Sequence, residues 1–460
     1  MPIIIVLVAL AAAGWLGFMA AAGGQYYILV GGSVLLVALL AFFRPKLSLA
    51  LLVFSMLLSP ELTMGTLTAQ RELVIRYDDI LLIIIFLSWF ARTAIQKDRP
   101  FITSTPAQMP VLLYTALFVI STAFGVMRGD ISWAYSTLYV LKYIEYFLLF
   151  FMAANIVESE EDVKYFLRLG LIVAVLVTIY AYFYYYSAGI GTRATAPFEA
   201  AIGRPEEGEP ASLGGYYLLV FGVFMAMLVE GGGLGLWRVL LLLAFMFPAF
   251  LITFSRASYI GFIFMVPALF LLTQKRRILL AGIFAAGLLA VSLMPVLKQK
   301  VMDRITMTYR GAYATENIRT GLGGTVRLEL SAAERVYSLK RVIFEKLPKH
   351  PLIGWGVTGV GLGDTQYSLI LGEVGLLGAA LFCWMLYRLL FTAKVVWKSY
   401  QDPYIRALAL GFIIATVGLL FQSLGVNSFI IVRIMEPYWF MAAMLGALYL
   451  KRRKTEEAAS

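Results

Sequence analysis

The sequence is poor in charge, in cysteine and in histidine, and each shortage excludes a class of protein. Charged residues make up 14% of the 460 residues, whereas a soluble domain carries about 25%. Cys383 and His350 are the only residues of their types, which excludes a disulfide within one chain, a cysteine metal cluster and an H-E-x-x-H site. The net charge of +11 does not indicate a nucleic-acid partner, because most basic residues fall in short loops between apolar runs.

Long apolar runs dominate what is present. Hydrophobic residues make up 61% of the chain and the mean hydropathy is +0.84, so the protein requires a solvent that tolerates apolar surface, which is lipid. Because a spanning helix needs about 20 apolar residues, the pattern predicts an all-α, polytopic transmembrane helical bundle of about 12–14 spans with a large outer-face loop domain of short helices. The candidate runs are 2–22, 26–43, 46–60, 79–95, 108–127, 133–155, 165–188, 213–230, 235–254, 257–273, 278–297, 366–393, 404–425 and 428–450.

The distribution of basic residues predicts the orientation. The tail beginning Lys451-Arg452-Arg453-Lys454 is expected in the cytoplasm, and counting back puts the other lysine-rich short loops on that same side. Both termini then lie inside a bacterial inner (cytoplasmic) membrane. Since no basic residue precedes Trp15, we expect residues 2–22 to be a retained helix and not a cleaved signal. The predicted units are a bundle of eleven spans over 1–297, an extracytoplasmic loop domain over 298–365, three spans over 366–450 and a cytoplasmic tail over 451–460.

The predicted outer face carries arginine and no lysine in its short loops. Residues 298–365 add eleven lysines or arginines, and a loop of this length escapes the positive-inside rule. A guanidinium makes bidentate, weakly hydrated contacts with phosphate, so this pattern suits a phosphate-bearing ligand. The short-loop arginines are Arg71, Arg76, Arg128, Arg193, Arg204 and Arg256.

An amphipathic helix is predicted over residues 329–347, ending at Pro348. Apolar side chains recur at spacings of three and four along it, which places them on one face. The predicted apolar face consists of Ala332, Val336, Leu339, Ile343 and Leu347, and the polar face of Glu334, Ser338, Arg341 and Glu345.

Three motifs in this region resemble a known family. The run E-R-x-Y-S is followed by H-P-L-I-G-x-G and then by Y…E-x-G-L-L-G, and Ser255-Arg256-Ala257 opens an earlier predicted span on the outer side. Together they resemble the O-antigen ligase/polymerase superfamily, which comprises WaaL-like ligases and Wzy-like polymerases, with a GT-C-type membrane architecture. The resemblance lies in motifs over about 240–380 and in topology over the rest.

The resemblance implies a metal-independent glycosyltransferase without a cofactor that works at the outer face. Its donor would be a glycan on undecaprenyl diphosphate, and an acceptor hydroxyl would attack the anomeric carbon as the lipid diphosphate leaves. Cations must neutralise the departing diphosphate, and a base must take the hydroxyl proton. The lipid bilayer and polysaccharide-assembly proteins are the expected partners, and nucleic acid is not.

The resemblance assigns the cationic role to Arg256 and Arg335. Each has a structural alternative: Arg256 could instead reach lipid headgroups from the interface, and Arg335 could lie on a solvated helix face. The family's ligases carry a histidine nine residues before the glutamate of E-x-G-L-L-G, and here that position is Asp364. Asp364 in D-x-x-Y form resembles the polymerase branch and is the predicted base, or else a helix N-cap.

Further residues are candidates for substrate binding. Arg193 and Arg204 could contact phosphate, although loop arginines are often only solvated. His350 matches the H-P-L-x-G element, where a turn-stabilising role is the alternative. Tyr367 completes D-x-x-Y, and Glu373 is an acid inside a predicted span, where acids usually serve a purpose.

Two other patterns favour structural readings. The glycines of Gly354-x-Gly356-x-x-Gly359 match a dinucleotide fingerprint but lack the strand and βαβ unit that it requires. Lys142 and Glu145 are three residues apart on one predicted helix, and Arg433 and Glu436 repeat the spacing on another, so each pair is predicted to neutralise itself.

Three functions remain open at this point. A lipid-linked glycan polymerase is the leading hypothesis, and a ligase with a different acceptor shares its donor chemistry. A transporter or lipid-glycan flippase is the alternative from another class. Transporters tend to show repeats and ionisable residues at mid-membrane, whereas this chain concentrates its polar residues in one outer loop.

Overall fold

The structure is a computed structural model that describes residues 25–68, 71–96, 104–189, 192–198, 208–310, 314–319, 325–361 and 365–459. The predicted span over 2–22 lies outside these residues. Two antiparallel hairpins are described, β1 (Glu61–Thr68) with β2 (Arg71–Arg76), and β3 (Glu316–Arg319) with β4 (Thr325–Leu328). The α-helices are α1 (Gln25–Phe43), α2 (Pro45–Leu58), α3 (Tyr77–Gln96), α4 (Gln108–Met127), α5 (Trp133–Ile156), α6 (Glu160–Ser187), α7 (Pro210–Glu230), α8 (Leu236–Leu251), α9 (Arg256–Leu272), α10 (Arg277–Ser292), α11 (Pro295–Thr306), α12 (Leu330–Arg341), α13 (Gln366–Ser399), α14 (Pro403–Gln422) and α15 (Val432–Ala459).

The predicted all-α class is confirmed, and the protein is a multi-pass membrane protein. Among the described residues, α4, α5, α6, α7, α13 and α14 are each long and apolar enough to cross a membrane, and a bent pair formed by α10 and α11 raises the six to seven. Helices α2, α8 and α9 and part of α1 are apolar but shorter. Helices α3 and α15 have the required length, but each carries buried acidic residues near its start.

The run at 278–297 does not form the single span predicted for it. Helix α10 ends at Ser292, and α11 begins at Pro295 with a 96° change of direction. Proline lacks the backbone N–H that would bond to the preceding turn, and its ring disfavours helix at the residue before it. Apolar composition continues across the break, which is why hydropathy alone did not locate it.

Helix α7 forms the centre of the bundle, with its whole apolar length buried. It packs on α14 where Gly222 meets Gly411, and a Cβ at Gly222 would lie 2.6 Å from the Gly411 carbonyl oxygen. Helix α9 approaches α14 in the same way, since a Cβ at Gly261 would lie 2.6 Å from the Gly418 oxygen. Small residues let helix backbones approach closely where lipid gives no hydrophobic drive for association.

The helix connections gather on two sides of the bundle. One side, here called the arginine side, is defined by contacts that arginines make with the described parts of the connections after α2, α6, α8, α11 and α14. The opposite side is joined by ion pairs between connections and helix ends. There Lys46 pairs with Asp162 at 2.8 Å, Lys164 with Asp402 at 2.5 Å and Arg406 with Glu230 at 2.7 Å.

The helix predicted over 329–347 is confirmed as α12 and a π-helical turn, Val342–Lys346, and its predicted faces hold in part. Most of the predicted apolar face is half-buried, but Ile343 is exposed and the fully buried residues are Ala333 and Val342. Most of the predicted polar face is exposed, and two of its residues have partners. Arg341 donates to the Val360 carbonyl at 3.1 Å, and the Ser338 hydroxyl donates to Ser368 at 3.3 Å.

One of the two predicted intrahelical ion pairs is present. Lys142 and Glu145 are 3.1 Å apart on α5, so that prediction is confirmed. The prediction for Arg433 and Glu436 on α15 is wrong, since the described contacts include no ion pair between them. Arg433 instead donates to the backbone carbonyls of Leu57, Ser59 and Phe198.

The glycine contact between α7 and α14 generates a stability prediction. Gly222→Ala is expected to lower the melting temperature of the detergent-purified protein, because overpacking a tight contact costs about 1–3 kcal/mol. Gly282→Ala on α10 is the matched control, since a Cβ there meets nothing within 4 Å. Thermal unfolding followed by tryptophan fluorescence measures both. Equal melting temperatures for the two variants would contradict the proposed close packing.

Candidate functional site

A cavity of about 360 Å³ opens on the arginine side where separate chain segments converge. Its walls come from the connection after α6, the starts of α7 and α9, α11, α12 and the connection after α14. Arg193, Arg256, Arg304 and Arg335 all line it. We call this the four-arginine cavity. Three of the four were sequence candidates, and no two of those three are close in sequence.

Arg256 owes its position to the start of α9. Ser255 is the N-cap, and its buried side chain accepts a hydrogen bond from the Ser258 amide at 3.4 Å. The first helical residue, Arg256, donates to the Thr308 hydroxyl at 2.6 Å and forms an ion pair with Glu329. The unpaired amides of a helix N-terminus also favour an anion at this point.

The Arg335 side chain extends from α12 and contacts the connection after α14. Its Nε donates to the Gly425 carbonyl at 2.8 Å. Gly425 lies against the first turn of α9, because a Cβ there would be 3.2 Å from the Cβ of Ala257. Because Gly425 lies beside α9, the half-buried Arg335 side chain that bonds to it lines the same cavity as Arg256.

Arg193 closes the wall formed by the connection after α6. It donates to the carbonyls of Thr253 and Phe254 at 3.1 and 3.3 Å. Burial, together with the charges of Arg304 and Arg256, lowers the pKa of the Arg193 guanidinium to about 10. Arg193 is therefore still protonated at neutral pH. Its positive charge is repelled by the neighbouring arginines and stabilised by the two carbonyls to which it donates.

Arg304 was not among the sequence candidates. It lies on α11 and enters the cavity because α11 turns away from α10 at the 293–294 break. Its Nε is buried and has no hydrogen-bond partner among the described residues. Pro295, which lies inside the apolar run 278–297, was the signal that could have indicated the turn.

Positive charge exceeds negative charge at this site. Glu209, the N-cap residue of α7, lines the cavity, and Glu329 pairs with Arg256. Four guanidiniums therefore face two carboxylates in a partly buried region. A site with such an excess attracts anions, and its low dielectric strengthens that attraction.

The remaining sequence candidates do not line this cavity, or lie outside the described residues. Asp364 and Arg204 fall outside them. The Tyr367 hydroxyl donates to the Leu420 carbonyl at 2.6 Å. His350 packs edge-on against Trp355, with ring centroids 4.5 Å apart. Their predicted roles in binding substrate stay predictions.

Glu373 holds the glycine-rich segment against a break in α13. Its carboxylate accepts the Thr358 amide at 2.7 Å, and its carbonyl accepts the Gly356 amide at 2.9 Å. Gly375, two residues on, has φ +66° and interrupts the helix. Amides that could have contacted a phosphate are thus bonded within the protein, and Glu373 is their acceptor.

A larger cavity of about 650 Å³ lies at the other end of α6, lined by Arg44, Lys46 and Arg92 among others. It is the weaker candidate for an anion. The Lys46 ammonium lies 2.8 Å from Asp162 and 3.4 Å from Glu158, so its charge is compensated there. Similarity to known proteins does not help to choose between the cavities, because no family model and no curated protein matches this chain.

The Arg256–Glu329 pair generates a binding prediction. Glu329→Gln is expected to tighten the binding of inorganic pyrophosphate by about tenfold, because a carboxylate no longer competes for Arg256 and a charged hydrogen bond contributes about 1.5–3 kcal/mol. Isothermal titration calorimetry measures the affinity. Glu334→Gln, which changes an exposed acid on α12, should leave it unchanged. An unaltered affinity in Glu329→Gln would show that Glu329 does not compete with the anion.

Proposed function

We propose that the protein is a membrane glycosyltransferase that extends a glycan carried on a polyprenyl diphosphate, in the manner of an O-antigen or exopolysaccharide polymerase. It would act at the outer face of the bacterial cytoplasmic membrane, with both termini inside and about 12–14 spans, counting the shorter apolar helices. The observation that carries the proposal is the four-arginine cavity.

The cavity suits the leaving group of this reaction. A lipid diphosphate departs with developing negative charge, and preorganised cations in a partly buried site stabilise that charge. Guanidiniums are the preferred side chains for it, since their planar donors match phosphate oxygens in pairs. A volume of about 360 Å³ also lies within the usual range for a small-ligand site.

The reaction would proceed as a displacement at the anomeric carbon. A hydroxyl of the acceptor sugar forms the new C–O bond while the bond from that carbon to the diphosphate breaks. The hydroxyl proton passes to a carboxylate, for which Asp364 is the proposed base. Arg193, Arg256, Arg304 and Arg335 would hold the diphosphate, and its polyprenyl tail would stay in the bilayer, because extracting it costs about 0.8 kcal/mol per CH₂.

Transport of a lipid-linked glycan is the second candidate, and two observations favour it. Buried ionisable residues, Asp78, Asp79 and Glu436, lie within the bundle, and α10 and α11 form a broken pair. Transporters use both features to bind and move substrates. The arginine cavity would then be a binding site without chemistry.

The first experiment is turnover of a synthetic undecaprenyl-diphosphate oligosaccharide by the protein in nanodiscs, without added metal. Arg304→Gln is the sharpest variant, because Arg304 has no hydrogen bond among the described residues and its loss should leave the fold intact. We expect a ladder of longer lipid-linked glycans on a gel, reduced by about a hundredfold in Arg304→Gln. Arg256→Gln and Asp364→Asn should also lose the ladder of longer glycans.

Arg238→Gln is the control, since Arg238 is exposed at the start of α8, away from the cavity, and this variant should keep wild-type turnover. Transfer to an added second acceptor without a ladder would replace the polymerase by a ligase. No turnover, together with movement of the labelled lipid-linked glycan across liposome membranes, would replace the enzyme by a transporter.

A further inference from the structure

A second group of charges lies buried beside the four-arginine cavity, among the α2–α3 connection, α5 and α15. Its members sit on elements that are far apart in sequence, and they are buried even though the surrounding helices are apolar. We call it the buried ionic cluster. It consists of Arg76, Asp78, Asp79, Lys142, Glu145, Arg433 and Glu436.

Most of the cluster is paired. Arg76 lies 2.8 Å from Asp78, and Lys142 bridges Asp79 and Glu145, the latter at 3.1 Å. The third cation is Arg433. It donates to the carbonyls of Leu57, Ser59 and Phe198 at 2.7, 3.3 and 3.1 Å.

Glu436 is the exception. It is fully buried, and neither of its carboxylate oxygens has a hydrogen-bond partner among the described residues. The cluster contains four carboxylates and three cations, which leaves one formal negative charge in excess. An unpaired ionised carboxylate is very unfavourable in an apolar interior, so this charge requires a counter-ion or a proton.

The geometry around Glu436 fits a cation. One carboxylate oxygen each from Asp78, Asp79 and Glu436 lies within 4.8 Å of the other two. Oxygen ligands lie about 2.3–2.6 Å from an ion of calcium's size, so ligands on opposite sides of such an ion are about 5 Å apart. A proton is a poorer match, because it supplies one donor, while Glu436 has two unpartnered oxygens and Glu145 a third.

We propose that Asp78, Asp79 and Glu436 form a binding site for one hard, oxygen-liganding cation, and that the charge balance of the cluster makes this cation singly charged, as sodium is. The cation would join the first turn of α3 to the second turn of α15. None of the three carboxylates lines the four-arginine cavity, so the proposal holds whether the protein polymerises a glycan or transports it.

Thermal unfolding tests the site on the purified full-length protein. The protein is exchanged into choline chloride and titrated with sodium chloride at constant ionic strength, with potassium chloride as a parallel series. We expect sodium to raise the melting temperature saturably by about 3 °C or more, as a ligand that binds only the folded state must. Glu436→Gln should lose this response, and Glu345→Gln, which alters an exposed acid, should keep it.

Other outcomes are equally decisive. A response to calcium chloride in place of sodium, again lost in Glu436→Gln, would support the site and make its occupant doubly charged. Equal responses of wild type and Glu436→Gln would overturn the proposal, because the effect would then be one of general ionic strength. The proposal would also be overturned by an infrared carbonyl band of a protonated carboxylic acid that shifts in D₂O and is missing from Glu436→Gln. Such a band would show that a proton, and not a cation, neutralises Glu436.

Should Glu436→Gln fail to fold, calorimetric titration of wild-type protein with sodium chloride decides the matter alone. Binding of one sodium ion supports the site, and no heat of binding for sodium or calcium overturns it. The glycan assay on the same preparation reports separately on the proposed function.

Discussion

Helix ends that lie in a low-dielectric interior impose the constraint on which this structure depends. The last carbonyls of a helix have no partner within it and must be satisfied by side chains. On the arginine side, guanidiniums meet this need: Arg76 bonds to Met56, Arg193 to Thr253 and Phe254, Arg335 to Gly425 and Arg433 to Leu57. A guanidinium has five donors and can bond several carbonyls or a carbonyl and an anion, which a lysine ammonium does less well.

The same constraint couples the cavity to the buried ionic cluster. Arg433, a member of the cluster, donates to the carbonyl of Phe198, which lies five residues after Arg193 in the connection that follows α6. Ile430 and Ile431 line the cavity and lead directly into α15, and the Tyr146 hydroxyl on α5 donates to the Ile430 carbonyl at 3.0 Å. The walls of the cavity are thus tied to helices whose buried charges set their relative positions.

Helix positions were predictable from the sequence, because apolar length and charge distribution determine them. Contacts that depend on the choice of hydrogen-bond partner were not predictable. Apolar runs located nearly every described helix, because a helix in lipid needs an apolar surface. The candidate arginines Arg193, Arg256 and Arg335 share one cavity. Arg304 was missed because only the turn at Pro295 brings it there. The Arg433–Glu436 pairing failed because i, i+3 spacing permits a contact without requiring it, and backbone carbonyls took the donors of Arg433.

The contrast between α7 and α10 has a consequence for how the protein senses its surroundings. Helix α7 contacts protein along its whole apolar length, whereas Leu280 is the one buried residue of α10, whose other side chains are exposed or half-buried. Lipid-exposed helices tilt to match the hydrocarbon thickness around them, and enclosed helices are held by their neighbours. Glu209 caps α7, while Arg304 follows α10 on α11. A change in membrane thickness is therefore expected to move Arg304 more than Glu209, both of which line the cavity.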